Sequence, residues 1–296
     1  MEILPQLLLN ALIAGSIYAL ASSGLSLTFG LLRILNFAHG HLMMAGAYAF
    51  YFAYVMQGYP LWEASLVTVL ITVILSWISL HIFVEPFLRF SIFLPFVTTL
   101  ALSTILESSV SMLFGVNVKS LTTGFEIRSI EFWGMFITPT QILIIASALI
   151  ILFLLAFVIH LTSFGRKIRA LAQEEFAAQT IGISARRISF LVFTAGTLLA
   201  AFSGVLVGFE TNLQPTMGNA YTIKAFAAMI LGGLGNIWGT IAGAYLLGLI
   251  ENLSIGLDFW GYSLPAGYKD AFAFVIILGI LLFRPQGLFK VSSRSA

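Results

Sequence analysis

Between residues 140 and 161 the chain carries no Asp, Glu, Lys or Arg. A helix rises about 1.5 Å per residue and needs about 20 apolar residues to cross about 30 Å of hydrocarbon, which this run supplies. Similar runs occupy residues 7–30, 39–56, 61–84, 92–115 and 188–209, with shorter ones at 222–234, 237–252 and 270–283. Charged side chains make up only 9% of the chain and the mean hydropathy is +1.02, so too few charges exist to coat a water-soluble globule. The pattern predicts an all-α polytopic membrane protein of about eight or nine hydrophobic helical segments. It forms one transmembrane domain over residues 1–296 and has the lipid bilayer as its solvent. A formal net charge of +2 argues against nucleic acid as a partner. Without Cys there is neither disulfide nor thiolate chemistry, and four scattered His lack metal-ligand spacing, so no metal or cofactor is expected.

Charge placement orients the chain. Residues 162–187 hold Arg166, Lys167, Arg169, Arg186 and Arg187, five of the fourteen bases, and the positive-inside rule places them in the cytoplasm. Alternation backwards from there puts residues 116–139 outside, 85–91 inside, 57–60 outside, the link around Arg33 inside and the N-terminus outside. Met1-Glu2-Ile3-Leu4-Pro5 carries an acid where a secretory signal carries Lys or Arg, so the chain is read as mature from Met1. The tail 284–296, with Arg284, Lys290 and Arg294, belongs inside, which requires an even number of passes. The number is even if Gly232-Gly233-Leu234-Gly235-Asn236 divides a hairpin whose turn lies inside the membrane region, buried in protein or lining a cavity.

A second irregular stretch runs from Arg33 to Gly40, and Ala-Gly-Ala-Tyr follows each interruption, at 45–48 and at 242–245. Broken segments at corresponding places of two halves mark a transporter built from pseudo-repeats, with its path at their interface; ordinary packing through small residues is the plainer alternative.

No Gly-x-x-x-x-Gly-Lys-Ser/Thr loop occurs, so the chain cannot itself be the ATPase of a pump. Neither Gly-x-Ser-x-Gly nor His-Glu-x-x-His supports hydrolysis within the membrane. Residues 163–183 read as one short helix, with Ile168, Leu171, Ala172, Glu175 and Ala178 at helical spacing and Gly182 as its stop. It is either a solvated loop helix or a docking helix, whose small Ala177 and Ala178 let a partner sit close while Arg166, Arg169 and the flanking acids set register.

The spacing Phe176-Ala177-Ala178-x-x-x-Gly182 resembles the Glu-Ala-Ala-x-x-x-Gly loop by which ABC importer permeases contact their ATPase subunits, with Phe176 in place of Glu. Asn10-Ala11 through Tyr18-Ala19-Leu20, Ile34-Leu35-Asn36-Phe37-Ala38-His39-Gly40, Lys224-Ala225-Phe226 with Leu231-Gly232-Gly233-Leu234-Gly235-Asn236, Tyr268-Lys269-Asp270 and Arg284-Pro285-Gln286-Gly287-Leu288-Phe289 resemble successive motifs of the LivH-type permease of branched-chain amino-acid ABC importers. They run from end to end of the chain.

The resemblance implies a subunit of the bacterial cytoplasmic (inner) membrane whose coupling loop is 162–187, with Gly165, Arg166, Arg169, Ala177, Ala178 and Gly182 in it. It implies a second, LivM-like permease, two cytoplasmic ATPase subunits and a soluble substrate-binding protein on the outer face. Importers of urea, short amides and other amino acids use similar permeases, so cargo stays open among them.

Glu107 shares a polar stripe with Ser103, Thr104, Ser108 and Ser111 and reads as an interior, unpaired carboxylate, either gluing helices or lining a path. His39 either holds backbone at the helix break or touches cargo. Glu210 and Glu251 read as interfacial, His81 and His160 as close to the cytoplasmic boundary, and the five Trp as interface anchors. The expected path involves Asn36, His39, Gly40, Glu107, Gly232, Gly233, Gly235 and Asn236. Uptake of branched-chain or other apolar amino acids by alternating access, with no covalent chemistry in this chain, is the function expected. The rivals are a urea or short-amide permease, a proton-driven secondary carrier working through Glu107, and an intramembrane enzyme using His39 or Glu107.

Overall fold

A computed structural model of the chain describes residues 3–91, 93–121, 129–132, 134–256 and 266–289. Lys290, Arg294, Trp133 and Trp260 lie outside the described residues, as does Ile92 at the start of one expected span. The apolar runs are helices: α1 (Leu4–Leu32), α2 (His39–Tyr51), α3 (Leu61–Ile78), α4 (Glu85–Leu88), α5 (Leu94–Phe114) and α6 (Pro139–Leu161). The basic stretch forms α7 (Ser163–Gln173) and α8 (Glu175–Thr180), and the second half adds α9 (Ala185–Glu210), α10 (Met217–Gly232), α11 (Ile237–Gly256) and α12 (Lys269–Phe283). Phe52–Met56 extends α2 as π-helix, and Ser79–Val84 joins α3 to α4 in the same way. Two short strands, β1 (Ile130–Phe132) and β2 (Met135–Ile137), pair antiparallel.

Among the described residues, five helices are long and apolar enough to cross a bilayer, or up to six with α10 and α11 taken as one bent span. The described parts of the expected segments are largely helical, but their number as crossings, eight or nine, is not confirmed: α2 is 13 residues before its π-helical extension and α12 is 15, short for a crossing of its own.

α1 occupies the centre, where small residues such as Gly15, Ser16, Ser22 and Gly24 let neighbouring helices approach it. Ser16 and Ser22 donate to the carbonyls of Leu12 (2.7 Å) and Tyr18 (2.6 Å) in their own helix, and Ser16 Oγ also lies 3.1 Å from the Tyr245 hydroxyl of α11. On one side α9 runs antiparallel to α1. Ser203 donates to the Ile17 carbonyl at 2.9 Å, and a Cβ on Gly196 would stand 2.6 Å from the Gly24 oxygen, so no side chain fits that crossing. On the other side α11 presses Tyr245 onto Gly15. α2 packs against α3, α9 and α10 with α5 behind it. α6 turns Ile150, Phe153 and Leu154 outward, as a helix facing lipid does, and starts with a reciprocal cap between Thr138 and Gln141.

Both predicted interruptions are present. α1 stops at Arg33, whose φ of 55° makes it the one non-glycine with positive φ among the described residues. The chain then doubles back along α1, so that His39 Nε2 lies 2.8 Å from the carbonyl of Ala21 and α2 begins beside the middle of α1. Buried backbone in this link needs partners. The amide of Ala38 donates to Asn36 Oδ1 (3.0 Å) and that of Phe37 to Thr99 Oγ1 (3.2 Å).

α10 and α11 meet at a bend of 118°. Gly233 (φ 115°) and Gly235 (φ 78°) adopt conformations that residues with a Cβ rarely take, and Asn236 Oδ1 accepts the Gly239 amide at 3.1 Å to start α11. The amides of Leu288 and Phe289 donate to the carbonyls of Leu231 (2.8 Å) and Gly232 (3.2 Å), so protein covers the turn as expected. Gly235 sits by Gly30, and Trp238 bonds His160 at 2.9 Å, which sets the turn level with the last turns of α1 and α6. α10 begins part-way along the bundle, against Gly40 and His41, and its 16 residues carry the chain to that end.

Candidate functional site

The start of α2 and the start of α10 form one junction. The amide of Gly40 donates to Thr222 Oγ1 at 3.0 Å, and a Cβ on Gly218 would come within 2.7 Å of the His41 ring. His39 is buried, and facing a carbonyl its Nε2 must carry the proton. It thereby ties the start of α2 to the middle of α1.

Glu107 is neither interior nor unpaired, contrary to the sequence reading. Its side chain is 29% exposed, and its Oε2 meets His41 Nε2 at 3.2 Å and Asn219 Nδ2 at 3.1 Å. The partners come from α2 and α10, beyond the reach of a search along one helix. Of its stripe, Ser103 is buried, while Thr104 and Ser108 are exposed on the flank of α5.

The basic stretch folds as two helices rather than one, because Glu174 is extended (φ −154°) between α7 and α8. Thr162 caps α7 by accepting the amide of Gly165 at 3.2 Å. Gly165 packs on the Ile159 backbone, and Arg169 Nη1 donates to the Ile159 carbonyl, so both anchor α7 to α6. Arg166 and Ala177 are exposed. Ala178 is buried in an apolar cluster with Ile168, Leu171, Ile188 and Val192, so it faces the bundle and does not offer its surface to a partner. Phe176 (79% exposed) and Ile181 (76%) form the free apolar face, and Gly182 (φ 87°) ends it. His81, stacked on Trp77, and His160, bonded to Trp238, lie toward this same end of the molecule.

The largest departure concerns Glu251. Read as interfacial, it is fully buried. Lys224 Nζ stands 3.1 Å from its Oε1, 2.9 Å from Asp270 Oδ1 and 3.0 Å from the hydroxyl of Tyr18, which itself donates to Glu251 Oε2 at 2.8 Å. Lys269 Nζ adds a contact of 3.6 Å to Glu251. Sequence reasoning missed this group although a signal existed. Lys224 is the sole charge in its apolar run and Glu251 the sole charge in the next, and two opposite charges that are each costly alone in a membrane should find one another. Tyr18, Lys224 and Lys269-Asp270 come from three separate motifs of the family resemblance, and here they converge.

Comparison with known proteins bears on what this arrangement serves. Residues 7–281 match the family described as branched-chain amino acid transport system, permease component. The chain is 30% identical over 296 residues to the high-affinity branched-chain amino acid transport system permease protein BraD of Pseudomonas aeruginosa, covering 96% of this chain and 94% of that protein. The same figures hold for LivH of Escherichia coli K12, a protein of the same description. In fold it is similar to a solved chain of PsaBC from Streptococcus pneumoniae in complex with Fab, with a TM-score of 0.53 over 97% of this chain and 93% of that one, at 12% identity. A match that spans both broken segments and the buried ion pairs, at this identity and coverage, has one consequence: the chain belongs to the permease-component family of branched-chain amino acid transport systems.

Proposed function

We propose that this chain is the membrane-spanning permease subunit of an ATP-driven importer that passes branched-chain or other apolar amino acids into the cytoplasm. The carrying observation is the likeness to BraD and LivH along nearly the whole of both chains. In this reading the N-terminus is outside, α7 and α8 are cytoplasmic, and the chain works with a second, LivM-like permease, two ATPase subunits and an external substrate-binding protein.

Residues 162–187 couple it to the ATPases. The free face of Phe176, Ala177 and Ile181 takes the contact, while Gly165, Arg169 and Ala178 tie that contact to α6 and α9. A displacement of α8 passes through α9 to α1 across the tight Gly24–Gly196 crossing, because close-packed helices move as bodies and do not deform. Asn36, His39 and Gly40, with Gly232, Gly233, Gly235 and Asn236, are the breaks at which such bodies can turn, and Glu107 sits beside the first of them. Selectivity rests largely with the binding protein, so the path needs no dense set of charged ligands.

The test is uptake of labelled leucine and urea by the complex reconstituted in liposomes. ATP- and binding-protein-dependent leucine uptake is expected. Preference for urea, or leucine uptake driven by a proton gradient without the ATPases, overturns the reading.

A further inference from the structure

A cavity of about 480 Å³ lies between α1, the start of α6, α9, α10, α11 and the start of α12, near the end of the bundle where α9 finishes. Its volume is within the range of about 300–1,000 Å³ usual for small-molecule sites. One wall is aliphatic, made by Ile13, Ile17 and Val207, and the remainder is polar, with Glu210, Lys269 and Asn252 among its lining. The charges at its edge do not cancel. Lys224 and Lys269 match Glu251 and Asp270, while Glu210, the last residue of α9, receives only a hydrogen bond from Gln141 (3.1 Å) among the described residues.

The two signs are also differently available. The ammonium of Lys224 is saturated by Glu251, Asp270 and Tyr18. That of Lys269 holds one acceptor at 3.6 Å and is 28% exposed, which leaves donors free. A carboxylate with a spare oxygen, an ammonium with spare protons and an aliphatic wall between helices are complementary to a small zwitterion with an apolar side chain.

We propose that this cavity is a binding site for a free α-amino acid held within one permease subunit. Glu210 accepts the ligand's ammonium, Lys269 donates to its carboxylate, and its side chain lies on Ile13, Ile17 and Val207. Both polar ends are needed, since a site built to bond a group rejects an analogue that lacks it by leaving its own polar atom unpaired. The inference rests on the transport reading above and adds where cargo dwells after leaving the binding protein.

The test uses the intact permease–ATPase complex in lipid nanodiscs, without binding protein or ATP, and measures labelled leucine binding. Glu210→Gln and Lys269→Gln should each weaken binding at least tenfold, and 3-methylbutylamine and 4-methylpentanoate, each lacking one charged end, should compete at least tenfold less well than leucine. The chain has no Cys, so a single Ala14→Cys on the cavity lining is the one thiol of this subunit; with labelling read on this subunit after the complex is separated, leucine should slow its modification while leaving an exposed Gln57→Cys unaffected. This arm decides the matter even if Glu210→Gln fails to assemble. Unchanged leucine binding in both charge variants, or an unprotected Ala14→Cys, in complexes that still import leucine with binding protein and ATP, overturns the site and leaves the transport reading intact. A wild-type complex that imports no α-amino acid overturns both.

Discussion

Replacing Lys224 by Met removes the ammonium that stands 3.1 Å from a carboxylate with no exposed surface. Glu251 then keeps only Lys269, at 3.6 Å, and the hydroxyl of Tyr18. Breaking a buried ion pair from one side costs about 3–5 kcal/mol, because the remaining charge stays desolvated. The residual Lys269 contact places this case near the lower figure, about 3 kcal/mol or roughly a hundredfold in the folded-to-unfolded ratio. Asp270 adds little to that loss, since its side chain is 48% exposed and water can replace Lys224 there. Unfolding by SDS in mixed micelles, followed by circular dichroism, measures the change. The double variant Lys224→Met with Glu251→Gln should recover most of it, to within about 1 kcal/mol of the parent, since no buried charge is then stranded and the amide oxygen still accepts from Tyr18. A single variant as stable as the parent, or a double variant no better than the single, refutes the account of this cluster.

Ala178→Arg puts a long charged side chain into the contact that seats α8. Uptake should drop by about tenfold or more while ATP hydrolysis continues, since overpacked contacts yield by shifting the helix; coupled transport at normal rates would sink the seating argument. Single cysteines at Gln57 and Ser163 test orientation: an impermeant thiol reagent should modify the first only from outside and the second only from the cytoplasmic side, and the reverse pattern inverts the chain. Glu107→Gln keeps an oxygen for Asn219 and His41, so uptake should stay within about twofold of the parent with an unchanged pH profile. Loss of uptake with ATP hydrolysis intact would assign the carboxylate a transport role and revive proton coupling.

Hydrophobic run length located the long apolar helices, because a continuous apolar run in lipid satisfies its backbone within itself only as a helix. The stops were equally legible. Gly233 and Gly235 bend the chain where an L residue would be strained, and Asn36 and Asn236 each offer a side-chain oxygen to nearby backbone at a break. What a single helix could not reveal was which side chains meet across helices. Glu107 read as unpaired until α2 and α10 brought His41 and Asn219 to it, and Glu251 read as interfacial until Lys224, 27 residues away, and Tyr18, 233 away, closed over it. Ala178 carried the spacing of a docking residue, and only the packing of α8 on α9 turned it inward. Local pattern follows from the solvent and the backbone, which act on every residue alike. Partnership between distant polar groups depends on helix order and rotation, and those are decided by where small residues such as Gly24 and Gly196 let two helices touch.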